Sequence, residues 1–162
     1  MAMFPITVCR VETPEGIKDF VTCLPHQIAF ERGLISEAII GVLAEPVDEV
    51  AAITPAIFTS NHNFVEFMHA VIFQEGLRLP GLIAEARKLG HGWVYIIDQR
   101  TRSPHGDIPP EDIIGVFAAT DGCLISGSYK PNPKHLILST EGFFQLGTDL
   151  ELCLLEELGK RV

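Results

Sequence analysis

Two eight-residue runs, EAIIGVLA at 37–44 and EDIIGVFA at 111–118, constrain this chain more than any other feature: six of their eight positions are identical. Each is a short apolar stretch rich in β-branched side chains and opened by an acidic residue, so each predicts a buried strand. Two origins would give such a match. One is a duplicated strand-turn-strand unit; the other is convergence of two core strands on common residues. The likeness fades beyond the eight residues, with a helix after the first copy and hairpins after the second, which weighs towards convergence. On either account Gly41 and Gly115 lie inside strands, where a missing side chain marks a bulge or the close approach of another element.

The rest of the chain builds around these strands. Apolar runs at 6–11 and 17–24 flank a turn at 13–16 and predict a hairpin, followed by a short helical turn ending at Gly33. A turn at 45–48 predicts a return strand at 49–53 and irregular chain at 54–60. Asn63 and Glu66 read as a capping box for a helix carrying Phe64, Phe67, Met68, Val71 and Ile72 to Gly76. Pro80 opens a second helix that stops at Gly90, and the two predict an antiparallel pair. A strand at 93–98, a long connection, the second copy, a Thr120-Asp121-Gly122 hairpin and a strand at 123–129 follow, with residues 131–133 breaking the last. A further hairpin surrounds 139–142. Thr148 and Glu151 read as a capping box for a last helix with a stripe of Leu150, Leu154, Leu155 and Leu158. Strands that cluster rather than alternate with helices predict an α+β fold. The expectation is a mainly antiparallel sheet, with the helical pair and the C-terminal helix packed against it, in one domain over 1–162.

Composition narrows the function classes. With 47% hydrophobic and 20% charged residues the chain is apolar, which favours an exposed partner face and hence a homodimer. A net charge of −9 and only 12 basic residues, scattered, argue against nucleic acid. The absence of a long apolar run argues against a membrane span. Cys9, Cys23, Cys123 and Cys153 have no metal-ligand spacing and read as buried free thiols of a cytoplasmic protein. There is no phosphate-binding loop, dinucleotide fingerprint or nucleophile elbow, and no cofactor is expected.

Three places could carry chemistry. His62, Glu66 and His69 recur at helical spacing and could ligate a metal, or simply form a polar helix edge. The long connection from Asp98 to Pro110 puts Asp98 and Arg100 on one face, as an ion pair or an anion grip, and offers His105 and Asp107 as an acid–base pair. The turn at 129–135, with Lys130, Lys134 and His135 on either side of Pro131 and Pro133, could hold a carboxylate or phosphate, or serve as a rigid connection. The expectation is a non-enzymatic cytoplasmic binding or interaction module, a homodimer with a small-molecule or protein ligand. The alternative is a small hydrolase-like enzyme with catalytic Asp98, Arg100, His105 and Asp107 in the 98–112 loop. Charge and size alone suggest a third option, an acidic inhibitor of a basic protein.

Overall fold

A computed structural model describes residues 5–101 and 106–162. The chain begins with a hairpin of β1 (Thr7–Thr13) and β2 (Gly16–Thr22), then a short helix α1 (His26–Arg32) ended by Gly33. The first repeat copy is β3 (Ile39–Leu43), and it pairs with β2 on one side and with β4 (Phe58–Ser60) on the other. Helices α2 (His62–Glu75) and α3 (Pro80–Leu89) follow. The second copy is β6 (Ile113–Thr120), flanked by β5 (Gly92–Ile97) on one edge. Its other edge pairs with β7 (Cys123–Leu124) and β8 (Lys130–Pro131). A small hairpin of β9 (Leu138–Ser139) and β10 (Gly142–Phe143) leads into α4 (Thr148–Gly159). All pairings are antiparallel, so the fold is α+β as the clustering of strands implied. The expected single sheet is two principal sheets. Helix α2 packs on β3 and α4, and α3 on β5, β6 and β7. One apolar cluster joins them, with Val21 and Ile40 from the first sheet, Ile114 and Phe117 from the second, and Phe64, Met68, Ile72 and Leu154 from the helices.

The two repeat copies fall in different sheets, yet they occupy the same local framework. Each is preceded by a 3₁₀ turn, Ser36–Ala38 and Pro110–Asp112. Each carries the same one-residue register shift against its neighbour, at the Val21/Thr22 and Ile96/Ile97 steps, which leaves its second isoleucine, Ile40 or Ile114, as the extra residue. Each glycine lies under a ring: a Cβ on Gly41 would sit 2.5 Å from Phe58 Cζ, and one on Gly115 2.5 Å from the Tyr129 hydroxyl. The close approach expected at both glycines is therefore present. Three residues beyond each ring, an asparagine bridges the strand entrance. Asn61 Nδ2 donates to the carbonyls of Ser36 and Ile39, both at 2.9 Å; Asn132 Nδ2 donates to those of Pro110 at 2.8 Å and Ile113 at 2.7 Å. Their backbone N–H groups also match, reaching Ile40 O at 2.8 Å and Ile114 O at 3.0 Å. Convergence on common strand residues does not require this shared set of asparagine bonds. We therefore read the two copies as one structural unit used twice.

Several local expectations are corrected. Residues 49–53 do not return as a strand; they hold a 3₁₀ turn at Val50–Ala52, and the partner strand is Phe58–Ser60, whose aromatic covers Gly41. Helix α2 begins at His62 without a capping box, because the Asn61 amide is committed to the strand and Asn63 bonds Ser36 Oγ. Pro131 pairs with β6 at the sheet edge, where its missing N–H costs no ladder bond, instead of breaking a strand. The capping box at Thr148 is not made either. Asp149 reaches across to Gly81 N, and Glu151 is buried with its carboxyl pushed up by desolvation. Cys23 is buried, its thiol pushed up to about 12 by burial, but Cys123 is exposed. Asp121 and Gly122 both have positive φ, the geometry of a tight hairpin turn.

If the asparagine bridges hold the unit together, Asn61→Ala and Asn132→Ala should each cost about 1–3 kcal/mol in urea unfolding, since each removes two amide hydrogen bonds at the strand entrance and leaves the Ser36 or Pro110 carbonyl only the bond of its 3₁₀ turn. A change within about 0.5 kcal/mol at both positions would contradict this.

Candidate functional site

Local backbone geometry explains how Asp98 and Arg100 come together. Strand β5 ends at the bulge, and its last ladder bond runs from Asp98 N to Asp112 O at 2.7 Å. The chain then turns, with Arg100 N donating to Asp98 Oδ1 at 3.1 Å, and the guanidinium is directed inwards. All five of its N–H groups meet acceptors. Nε donates to Asp112 Oδ1 at 2.7 Å, Nη2 to Leu136 O at 2.7 Å and Glu111 O at 2.8 Å, and Nη1 to Gly142 O at 3.0 Å and Ile137 O at 3.4 Å. Thr101 Oγ1 donates to Asp112 Oδ2 at 2.8 Å. Asp98, fully buried, accepts from Gln145 N at 2.9 Å and from His135 Nε2 at 2.9 Å, with Arg100 Nε 3.7 Å away.

The four loop residues named from the sequence therefore separate. Asp98 and Arg100 do pair, but inside the protein and with every donor of Arg100 engaged. Asp107 is exposed, and His105 lies outside the described residues. Arg100 acts as a staple between the 3₁₀ turn before β6, residues 136–137 and the β9–β10 hairpin.

The helical trio separates as well. His62 and Glu66 form an exposed pair at 3.0 Å, while His69 turns to Tyr129, its Nδ1 2.7 Å from the hydroxyl. Among the described residues no three His, Cys, Asp or Glu side chains converge closely enough to hold a metal ion. The third place, residues 129–135, forms a wall of a cleft that His62, Glu66 and His69 also line. Its lysines take no part: Lys130 Nζ lies 5.1 Å from the Trp93 ring centroid and Lys134 is exposed.

The cavity is a cleft of about 710 Å³ between the start of α2 and residues 131–137. Ser60 and His62, which flank Asn61, line one side; Pro131 and Pro133, which flank Asn132, line the other. The cleft thus sits where the corresponding ends of the two repeated units meet. His69 and His135 both open into it, with Val65 and Ile137 as its apolar floor. Burial, then the charge of His135, hold the His69 imidazole down at about 4, so it is neutral near pH 7. Tyr129 is held above its ordinary value by burial and keeps its proton.

Sequence reasoning missed Asn61, Asn132, Asp112 and the pairing of His135 with Asp98. The asparagines had a signal: Phe58-Thr59-Ser60-Asn61 and Tyr129-Lys130-Pro131-Asn132 each put an asparagine three residues after an aromatic, downstream of each copy. The His135–Asp98 contact spans 37 positions and had none. Comparison with protein-family models, with curated proteins and with solved structures found no match.

His69 gives a pH signature with a defined sign. Its folded pKa, about 4, lies below the ordinary 6.5, so between these values the unfolded chain binds a proton that the folded chain excludes. The contribution is complete above pH 6.5 and is lost as pH falls towards 4. Urea unfolding should show stability falling across this window in the native protein, and less steeply in His69→Gln. Parallel curves for the two proteins would contradict the assignment.

Proposed function

We propose that this protein is a non-enzymatic cytoplasmic binding module that takes a small ligand in the cleft between α2 and residues 131–137. The observation that carries the reading is that Arg100, the strongest anion-gripping group at hand, has all five donors engaged by its own chain. What remains open is a cleft of ligand size with apolar walls and a few converging polar atoms, the usual form of a small-molecule site. Four free cysteines suit a reducing compartment. Exposed Trp93 and Tyr95, 46% and 54% accessible on the outer face of β5, support a self-associating surface away from the cleft. A hydrolase at the same cleft is the second reading. His135 is oriented by a buried carboxylate, and the hydroxyl-bearing Ser60 lines the same space.

A fragment screen by amide NMR separates the two readings. Binders should shift the signals of Val65, His69, Asn132 and Ile137, with no turnover of activated esters above buffer. Turnover that disappears in both Ser60→Ala and His135→Gln would overturn the binding reading in favour of the enzyme.

A further inference from the structure

The two cleft histidines present opposite hydrogen-bonding characters, and each is set by a buried partner. His135 Nε2 faces Asp98 Oδ2 at 2.9 Å, and Asp98 already accepts two backbone N–H bonds on its other oxygen. A carboxylate can only accept, so His135 Nε2 carries a proton, and in the neutral imidazole Nδ1 keeps its lone pair. His69 is the reverse case. Among the described residues, its Nδ1 is the one acceptor bonded by the Tyr129 hydroxyl, at 2.7 Å. Tyr129 keeps its proton and donates it there, so His69 carries its own hydrogen on Nε2. Neither the His69 Nε2 nor the His135 Nδ1 belongs to the buried polar atoms without a partner, and no side chain or backbone group among the described residues bonds either one. Both therefore open to the cleft that their rings line.

From this juxtaposition we propose that the cleft recognises a small neutral molecule through a carboxamide, its carbonyl accepting from His69 Nε2–H and its N–H donating to His135 Nδ1. The proposal rests on the reading of this cleft as a ligand site and specifies its chemistry. A planar amide offers an acceptor and a donor together, the chemical complement of one ring donor and one ring acceptor on the same cleft. The apolar remainder of the ligand lies against Val65, Ile137, Pro131 and Pro133. The pair also discriminates. A carboxylate would bring a second oxygen against the His135 lone pair, and an amidinium would bring an N–H against the His69 N–H. Glu66 at the rim adds to the disfavour for anions, while its pairing with His62 at 3.0 Å reduces its attraction for cations.

Benzamide, benzoate and benzamidine share one shape and differ in charge and donor pattern, so they test this directly at pH 7.5. In amide NMR titrations, benzamide should shift the signals of Val65, His69 and Ile137 with low-millimolar affinity, at least tenfold tighter than the other two. Tyr129→Phe keeps the ring over Gly115 but removes the hydroxyl that fixes His69; in that variant the preference should fall to within about threefold. The imidazole ¹⁵N spectrum of the native protein should show both histidines protonated on Nε2. Benzoate or benzamidine binding as tightly as benzamide, no benzamide binding, or a proton on His69 Nδ1 would each overturn the proposal. Occupation of the cleft by ligands of another class would then leave the binding reading standing, whereas a cleft that no fragment enters would remove both.

Discussion

The Arg100 guanidinium is the interaction on which the second half of the molecule depends. Burying a cation with two nearby carboxylates costs several kcal/mol per ion in desolvation, and it is tolerable only when geometry is good and every remaining proton and lone pair is met. Here five N–H groups meet five acceptors drawn from three separate segments. None of those segments is regular structure long enough to hold itself: a 3₁₀ turn, a proline-flanked connection and a hairpin with two residues per strand. Fixing Leu136 and Ile137 fixes His135 next to them. Fixing Asp98 gives that histidine its partner. The cleft wall is thus a consequence of an ion network that does not itself reach the cleft.

The repeated unit shows how local this arrangement is. In both units a backbone bond crosses from the residue after the last paired one to the last residue of the 3₁₀ turn: Cys23 N to Ala38 O at 3.4 Å, and Asp98 N to Asp112 O at 2.7 Å. In the first unit the side chains at these places are apolar and join the core; in the second both are carboxylates. Position 38 against 112 is one of only two differences between the eight-residue copies. One framework therefore supports a plain hydrophobic junction in one place and a charged staple in the other, and the cleft forms beside the charged one.

Much of this fold could be read from its residues. Turn chemistry at Thr13 to Gly16, at Asp121-Gly122 and around Glu141-Gly142 located three hairpins, and the 3.6-residue spacing of Phe64, Phe67, Met68, Val71 and Ile72 located α2. The failures share a cause. Asn63 reads as a cap, but its amide reaches Ser36 Oγ, and beside Thr148 the Asp149 carboxylate reaches Gly81 N, because a polar group near a helix start can bond any exposed group within range. The alternation of Asp98 and Arg100 correctly placed them together. It could not say that the pair points inwards, because the acceptors for Arg100 come from residues 111–142, supplied only by the folded topology. His135 was visible as a rigid-turn residue beside two lysines; its partner was not.

Whether Arg100 is a staple or an open group decides what holds the cleft wall, and the unfolding free energy of Arg100→Ala measures that most directly. A staple leaves Asp98 and Asp112 buried without their cation, so the variant should lose about 3–5 kcal/mol in urea denaturation at pH 7. A variant within about 0.5 kcal/mol of the native protein, the usual range for a surface change, would mean that Arg100 is free to meet a ligand and that the cleft wall is held by something else.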